Sequence, residues 1–433
     1  MRVFPEDHEI KASELTRLWI SEGFLKPVRG KSVEEVGEEY LKDLTDRNLI
    51  LIRKWTRSGK IKACSVHDIL RELCLREFNR ENLIRLPKAQ HFVFPSRPGN
   101  SVCFLCGHLA GPDKIHLQEI LVGSRSTTIA SPSVCEECNN MFRNLNRLRW
   151  VKVIEQINGL SGETFPQHTK LQYLVVEAHS YGLDMKFVFP RTISLLWTLQ
   201  TLHLDVQASP VEPLYLPSDI WEMLQLRHLN AESCTLSNPL VIRFERKDST
   251  VLENLSTLSS RGFTCSKEAI KRIPNLKKLK SSYYSYYSAD YSCYCLSNLS
   301  QLNKLESLSL EYYSLLEDIT FPASLKKLSL LACKIPWEKM TIIGSSLPNL
   351  EVLKLNYVGH GNKWDPIEGE FLQLKVLLIS HCDLARWGAE DIHFPNLRSL
   401  TLRYMHKLEE IPLSVGDIDT YIPFIWMSAV SLS

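Results

Sequence analysis

The string L-x-x-L-x-L recurs along most of this chain and constrains its fold more than any other feature. Its first leucine stands at eleven positions, and successive copies are 20 to 29 residues apart. That period is typical of leucine-rich repeats, in which every copy contributes one short strand. One copy cannot bury its leucines alone, whereas a stack of copies can, so the pattern predicts a solenoid with a curved parallel sheet. The first leucines are Leu148, Leu171, Leu199, Leu226, Leu255, Leu276, Leu305, Leu325, Leu350, Leu374 and Leu397.

Each strand of such a repeat places alternate side chains on opposite faces of the sheet. The leucines are expected to point into the shared core, and the residues between them to form an exposed concave face. These residues have mixed chemistry, which suits a protein partner better than a uniformly charged ligand; the alternative is that most of them are only solvated. The predicted exposed set is Thr201, His203, Asp205, Ser307, Ser309, Glu311, Val352, Lys354, Asn356, Ser399, Thr401 and Arg403. The candidate partner contacts within it are His203, Asp205, Glu311, Lys354, Asn356 and Arg403.

A tyrosine- and serine-rich segment interrupts the repeats at residues 281–295. Tyrosine and serine make adaptable recognition surfaces at low entropic cost, so the segment is a second candidate for partner binding. The alternative is a loose, low-complexity loop between two repeats. The candidate contacts are Tyr283, Tyr284, Tyr286 and Tyr287.

The first eighty residues do not repeat. Residues 13–22 have the apolar spacing of a helix, and Ser32 with Glu35 forms a capping box that opens a second helix. Two apolar runs, 48–55 and 61–66, are predicted to form a β-hairpin, and another helix is predicted to start near Asp68. Helices followed by a hairpin wing indicate a small winged-helix domain. The predicted fold is therefore α/β, with this domain followed by the repeat solenoid.

Winged-helix domains often bind DNA, and the predicted wing is rich in basic residues. However, four glutamates load the helix before the wing, whereas a helix that faces DNA should be basic. The formal net charge of +2 also gives no bulk electrostatic reason for a nucleic-acid or membrane partner. The basic residues are therefore interpreted as a solvated face; they are Arg53, Lys54, Arg57, Lys60 and Lys62.

Three segments of this N-terminal region resemble a known family. Residues 3–10 (VFPEDHEI), 18–24 (LWISEGF) and 66–70 (VHDIL) look like the end of the nucleotide-binding (NB-ARC) module of plant intracellular immune receptors. These are the coiled-coil type of nucleotide-binding leucine-rich-repeat disease-resistance proteins, and the likeness is strongest to the late blight resistance group of nightshade-family plants. The resemblance divides the chain into a winged-helix end of the NB-ARC module (1–80), a connector and repeat cap (81–147), about eleven repeats (148–415) and an atypical tail (416–433).

The resemblance implies a function and a set of site residues. Members of the family recognise a pathogen effector or a guarded host protein through the repeats, exchange ADP for ATP, and trigger innate immune defence with hypersensitive cell death. His67 and Asp68 match the family's Met-His-Asp motif, with Val66 in the first place, and there the histidine contacts the β-phosphate of ADP. The alternative from the residues alone is that His67 merely begins a helix. A non-signalling repeat adaptor or decoy is the alternative function.

The chain also departs from the family pattern. It contains no G-x-x-x-x-G-K-[ST] phosphate loop and no apolar strand that ends in paired aspartates. We therefore expect no nucleotide cofactor in this polypeptide, and a partial receptor. The repeat pattern also fails after Gly416, which suggests a solenoid that is cut short. No H-E-x-x-H or G-x-S-x-G motif occurs, so an enzyme is not expected.

The cysteines bear on compartment and on metals. The chain has 12 cysteines, no signal peptide at its start and no apolar run long enough to span a membrane, so a protein with reduced thiols, either cytoplasmic or peripheral to a membrane, is expected. Two C-x-x-C pairs suggest zinc, but 28 residues separate them, more than the roughly 15 to 20 of common zinc sites. Reduced thiols and no metal are therefore favoured at Cys103, Cys106, Cys135 and Cys138. Cys234, Cys333 and Cys382 are expected just after their strands, in structural roles.

Overall fold

The computed structural model divides the chain into two compact units, Met1–Leu214 and Tyr215–Ser433. The structure describes residues 8–21, 23–26, 28–56, 59–70, 72–73, 76, 101–102, 109–110, 117–121, 150–156, 171–179, 191–207, 214–239, 250–263, 265–283, 296–313, 319–359 and 361–412. The paired cysteines that were considered for zinc (103, 106, 135 and 138), most of the predicted connector and the predicted tail lie outside these ranges.

The first unit begins with the predicted winged helix. Its elements are β1 (Ile10–Lys11), α1 (Ala12–Ser21), α2 (Val33–Asp46), β2 (Ile50–Trp55) and β3 (Ile61–Val66). β3 lies between β1 and β2 in a three-stranded antiparallel sheet. The two helices and the hairpin confirm the prediction, whereas β1 is too short to have been visible in the sequence pattern.

The second helix starts where the capping box predicts. The Ser32 backbone N–H donates to the Glu35 carboxylate at 2.6 Å, and the Glu35 N–H donates to the Ser32 hydroxyl at 3.2 Å. These two bonds satisfy backbone donors that would otherwise lack partners at a helix start. Val36 and Leu41 are buried on the inner side of α2, whereas Tyr40 is exposed.

The remaining strands of the first unit lead into the repeats. β4 (Ser101–Val102) pairs with β5 (Leu109–Ala110), and β6 (Leu117–Leu121) pairs antiparallel with β7. β7 (Trp150–Gln156), β8 (Tyr173–His179) and β9 (Thr201–Gln207) then run parallel in register. A 3-10 helix occupies Arg191–Leu195.

The winged helix and the first repeats share one hydrophobic cluster. Tyr173 and Val175 of β8 are buried in the same cluster as Leu15 and Leu18 of α1. In the register of the sheet, Tyr173 lies beside Thr201 of β9. The prediction that Thr201 is exposed was therefore wrong: it is buried beside a tyrosine that the winged helix covers.

The second unit also consists of parallel repeat strands, and each of them except β10 begins two residues after a first leucine. The main-sheet strands are β10 (Leu214–Leu216), β11 (His228–Leu236), β12 (Thr257–Arg261), β13 (Lys278–Ser282), β14 (Ser307–Glu311), β15 (Lys327–Leu331), β16 (Val352–Asn356), β18 (Val376–Ser380) and β20 (Ser399–Arg403). Helices α3 (Lys267–Arg272) and α4 (Lys339–Ser346), and 3-10 helices at Ser218–Glu222, Leu296–Gln301 and Asp391–His393, lie between strands. This confirms the predicted repeat fold.

A short second sheet carries a stack of three tryptophans. β17 (Lys363–Trp364) pairs in parallel with β19 (Arg386–Trp387). The ring centroids of Trp337 and Trp364 are 5.6 Å apart, and those of Trp364 and Trp387 are 5.9 Å apart, with all three rings buried. We call these three residues the tryptophan stack. Aromatic pairs at such distances add to the free energy of burial, so the stack ties successive repeats together.

Three repeat cysteines are buried, as expected. Cys333 and Cys382 lie two residues after β15 and β18, whereas Cys234 lies inside β11, which is longer than predicted. Burial raises the pKa of the Cys234 thiol to about 12, and burial raises the pKa values of Cys333 and Cys382 to about 11. These thiols are therefore protonated at neutral pH and unsuited to nucleophilic chemistry.

Candidate functional site

The candidate partner surface is built from the strands of the second unit. In each five-residue strand the second and fourth side chains point into the core, and the first, third and fifth form what we call the outer face. The strands are in register, so Asn356, Ser380 and Arg403 form one row across β16, β18 and β20. Because neighbouring strands are about 4.8 Å apart, Asn356 and Arg403 are separated by about 10 Å along this row.

Between β11 and β14, three charged residues of the outer face pair with one another. The Lys280 ammonium lies 2.7 Å from the Glu232 carboxylate and 3.2 Å from that of Glu311. Burial alone would lower the pKa of Lys280, but the two carboxylates outweigh it, and its pKa is raised. Glu311, a predicted partner contact, is therefore engaged in an ion pair within the chain.

The outer face is different between β16 and β20. Lys354 and Asn356 are half-buried, and Arg403 is exposed. Arg403 forms no ion pair with the residues that the structure describes. Thr401 lies in the row of Lys354 and is buried beside Leu378, so the prediction that it is exposed was wrong.

Directly after these strands, two exposed tyrosine rings stack on a half-buried histidine ring, and sequence reasoning missed this stack. Tyr357, His381 and Tyr404 have φ angles of 50°, 52° and 53°. The ring centroids of Tyr357 and His381 are 4.3 Å apart, and those of His381 and Tyr404 are also 4.3 Å apart. Tyr357 is 57% exposed and Tyr404 43% exposed. We call these three residues the aromatic ladder.

The backbone positions each rung of the ladder. The Tyr357 N–H donates to the Ser380 carbonyl, and the His381 N–H donates to the Arg403 carbonyl, both at 3.0 Å. The Ser380 hydroxyl also lies 2.8 Å from Nδ1 of His381. Every rung is the seventh residue after a first leucine (Leu350, Leu374 and Leu397), so aligning the repeats would have shown an aromatic column.

Tyr283 stands in the same column but does not belong to the exposed surface. It is only 8% exposed, and its ring centroid lies 5.9 Å from that of Tyr313. The sequence placed it in an exposed recognition segment, whereas its ring is buried and packs against that of Tyr313. Tyr284, Tyr286 and Tyr287 lie outside the described residues.

The other predicted contacts lie in the first unit. On β9, His203 is half-buried and Asp205 is exposed. In the wing, Lys54 pairs with Glu9 at 2.8 Å and Lys60 with Glu38 at 2.7 Å. The charges of these two lysines are therefore offset within the chain, in keeping with a solvated face.

His67 and Asp68 stand where the chain leaves β3 and enters a helical turn. Nδ1 of His67 accepts a hydrogen bond from the Ile69 N–H at 3.3 Å, so this ring nitrogen serves as a local helix cap. Asp68 is exposed and would repel a phosphate. The pair alone does not fit a nucleotide, which needs several backbone N–H donors around its phosphates.

The described residues contain no group of three or more His, Cys, Asp or Glu side chains arranged to hold a metal ion. Within the same ranges, no helix combines the length and the apolar character needed to cross a membrane.

Comparison with known proteins shows that the chain is similar to plant disease resistance proteins. Residues 3–74 match the family model of the disease resistance protein winged helix domain. The chain is 32% identical over 440 residues to a putative late blight resistance protein homolog of Solanum demissum, covering 96% of this chain and 33% of that protein. A second homolog of the same plant is 32% identical over 439 residues, covering 96% of this chain and 54% of that protein. A third relative, a late blight resistance protein of Solanum demissum, is 30% identical over 444 residues, covering 96% of this chain and 33% of that protein.

Among solved structures, the leucine-rich repeat domain of the type III effector XopL aligns with a TM-score of 0.32 and 17% identity, covering 66% of this chain and 80% of that domain. So weak a likeness adds nothing to the fold described above. The chain spans about a third of the length of two of these relatives and about half of the other. The family resemblance is confirmed: the chain is a relative of the late blight resistance protein homologs of Solanum demissum, with the winged helix of disease resistance proteins at residues 3–74.

Proposed function

We propose that this chain is the partner-recognition part of an intracellular plant immune receptor, and that its repeats bind a pathogen effector or a guarded host protein. The observation that carries the proposal is the outer face between β16 and β20. There an exposed cation, half-buried polar residues, two exposed tyrosine rings and a half-buried histidine ring lie together on a parallel sheet. Arginine and tyrosine are enriched among the residues that dominate protein–protein binding energies. The similarity to late blight resistance proteins supplies the biological setting.

In this proposal the receptor acts in the cytoplasm, and partner binding leads to innate immune defence with hypersensitive cell death. We infer that His67 contributes to ADP sensing only together with phosphate-binding groups of an NB-ARC module. For the 433-residue chain by itself we expect very weak ADP binding. Calorimetry that gives a micromolar dissociation constant for ADP would contradict this part of the proposal.

Transient expression in leaves tests the proposal. The chain is expressed with secreted proteins of a late blight pathogen and with a nucleotide-binding module supplied as a separate polypeptide. We expect cell death only when all three components are present. Charge reversal on the outer face, Lys354→Glu with Arg403→Glu, should abolish it, whereas Arg386→Glu, exposed on β19, should not.

The same assay discriminates the alternative function. A chain that accumulates normally, binds a pathogen protein and yet never triggers cell death would be an adaptor or decoy. Equal cell death from the wild type and the outer-face variant would show that recognition lies elsewhere in the molecule.

A further inference from the structure

The aromatic ladder ends abruptly on one side. The position before Tyr357 in the same column is Ala332, which has the same left-handed backbone, with φ of 51°. The Ala332 N–H donates to the Asn356 carbonyl at 2.8 Å, as the N–H groups of Tyr357 and His381 do to their own neighbours. Ala332 is therefore a rung whose side chain is too small to cover the next ring.

One face of Tyr357 consequently differs from the other. His381 stacks on one face at 4.3 Å, and no further ring stacks on Tyr357 within the part of the chain that the structure describes. Beyond Ala332 the column continues with Tyr312, whose N–H donates to the Leu331 carbonyl at 2.7 Å. Two strand spacings, or about 10 Å, thus separate the backbones of Tyr312 and Tyr357. That width accommodates one planar ring.

The other end of the ladder carries a positive charge. Arg403 directly precedes Tyr404, is exposed, and has no ionic partner among the described residues. Asp383, two residues after His381, forms an ion pair with Lys407 at 3.2 Å and not with Arg403. A guanidinium in this position is suited to donate two parallel hydrogen bonds to a carboxylate of the partner.

The rungs are also held in an uncommon backbone conformation. Left-handed φ angles cost bulky residues on the order of 1 kcal/mol each relative to glycine, and here the two tyrosine rings remain largely exposed. Strained, exposed and mutually stacked aromatic residues are hard to explain by stability alone. Their arrangement is consistent with a binding role.

We propose that the Ala332 position is a slot that receives a planar aromatic side chain of a protein partner, while Arg403 pairs with a carboxylate of the same segment. The proposal rests on the proposed function of the outer face and specifies the chemistry of its partner. The slot and Arg403 are three strand spacings apart, about 14 Å. An extended segment covers that distance in four residues at about 3.4 Å each, so the aromatic and acidic residues should be four positions apart.

The test uses two blocked pentapeptides, Trp-Ser-Gly-Ser-Asp and its reverse, each carrying 5-fluorotryptophan, with the complete 433-residue chain. Titration followed by ¹⁹F NMR gives the dissociation constant. We expect one of the two to bind with a dissociation constant on the order of 0.1–1 mM, which is typical of so small a ligand. Replacing its tryptophan by fluorinated leucine, or its aspartate by asparagine, should weaken binding at least fivefold.

Variants of the chain locate the binding site. Ala332→Tyr supplies the missing rung from the chain itself and should abolish binding, because the left-handed backbone there already matches that of the tyrosine rungs. Tyr357→Ala should weaken binding at least fivefold. Arg403→Gln should weaken binding of the aspartate peptide to the level of the asparagine peptide and leave the latter unchanged. Tyr215→Ala, which removes an equally exposed tyrosine outside the ladder, should have no effect.

Circular dichroism and the melting temperature of each variant show that it remains folded. The proposal that the Ala332 position binds an aromatic side chain is contradicted if the Ala332→Tyr variant binds the peptide as the wild type does. It is also contradicted if neither peptide binds up to about 10 mM. Such a failure, together with effector-dependent cell death that still requires Arg403 and Lys354, would discard the slot and leave the proposed function intact. Peptide binding without any cell death would support the slot and contradict the proposed function.

Discussion

Neighbouring repeats of the second unit carry two stacks of aromatic rings that differ in almost every respect. The tryptophan stack (Trp337, Trp364 and Trp387) is buried, with ring centroids 5.6 and 5.9 Å apart. In the aromatic ladder both tyrosine rings are exposed and the histidine between them is half-buried, with centroids 4.3 Å apart. Repeat spacing alone is therefore enough to stack rings at equivalent positions, and burial decides whether a stack stabilises the fold.

The comparison teaches that an aromatic column in a repeat protein has two possible meanings. Where the rings exclude water and contact other rings, such as Phe371 and Phe394 beside Trp364, they form the core. Where they stand on left-handed residues at the ends of strands, they add little to stability and are available to a partner. Substitutions in the two stacks should therefore differ in size, and the buried stack should show the largest effects.

Truncating the middle of the tryptophan stack and one end of the ladder gives the sharpest contrast. Trp364→Ala removes a fully buried indole and should lower the free energy of unfolding by about 3–5 kcal/mol. Tyr357→Ala should change it by less than about 1 kcal/mol, since an exposed ring loses little burial. Urea denaturation followed by far-UV circular dichroism measures both. Similar losses in the two variants would contradict the distinction between the stacks.

A glycine pair tests how tightly the tryptophan stack is packed. Gly359 has φ of +106° and Gly361 has φ of +108°, so an alanine is strained at either position. A Cβ at Gly359 would lie 2.5 Å from Cε2 of Trp337, whereas the nearest Trp337 atom to one at Gly361 is 3.9 Å away. Gly359→Ala should therefore cost about 1–3 kcal/mol more than Gly361→Ala in the same denaturation experiment. Equal costs would mean that Trp337 moves aside freely.

Two cysteine thiols test whether the residues directly after the ladder positions are buried. Cys333 and Cys382 directly follow Ala332 and His381 but are buried, and burial raises their pKa values to about 11 from an ordinary 9.0. Folding thus favours the protonated thiols. Their contribution to stability is complete below pH 9 and is lost as the pH rises through 11, by about 1 kcal/mol per thiol at pH 10.

Alkylation measures the same property directly. With iodoacetamide at about pH 8, below the ordinary thiol pKa, the peptides that contain Cys333 and Cys382 should stay unmodified in the native chain and react fully in urea, as read by mass spectrometry. Rapid native labelling at either cysteine would show that the residue after the ladder position is accessible, contrary to the structure.

The smallest effect should come from completing the ladder. Ala332→Tyr adds a ring beside Tyr357 without burying it deeply, so we expect a gain of about 0.5–1 kcal/mol in the free energy of unfolding. Ala332→Leu, which adds bulk without an aromatic ring, is the matched control and should give no gain. A loss of stability in the tyrosine variant would indicate that the slot is narrower than the strand spacing implies.

The repeat strands were predicted well from the sequence because the physical signal recurs in every copy. Each of the eleven strands begins two residues after its first leucine, and the leucines must be buried for any copy to be stable. The capping box fixed the start of α2 for a similarly local reason. The two-residue strands β1 and β17 could not be predicted, because they depend on partners far away in the sequence.

The candidate site was predicted less well, because exposure depends on neighbours in space. Alternation along a strand places Thr201 outward, but Tyr173 and the winged helix cover it. Tyr283 looked like a recognition residue from composition, yet it packs against Tyr313. Arg403 was identified correctly as exposed, whereas the ladder beside it requires left-handed backbone that a pattern of leucines does not encode.

The left-handed residue at the end of each strand separates two tasks that most residues must perform together. Its N–H group extends the sheet to the next repeat whatever its side chain is, as the bonds of Ala332 and Tyr357 to their neighbours show. The side chain is consequently free to change without altering the core. The side chains of such a surface can therefore be substituted one repeat at a time while the backbone of the sheet stays the same. Related chains with this architecture could keep pace with sequence changes in a binding partner through point substitutions at these positions, without a change in the repeat fold.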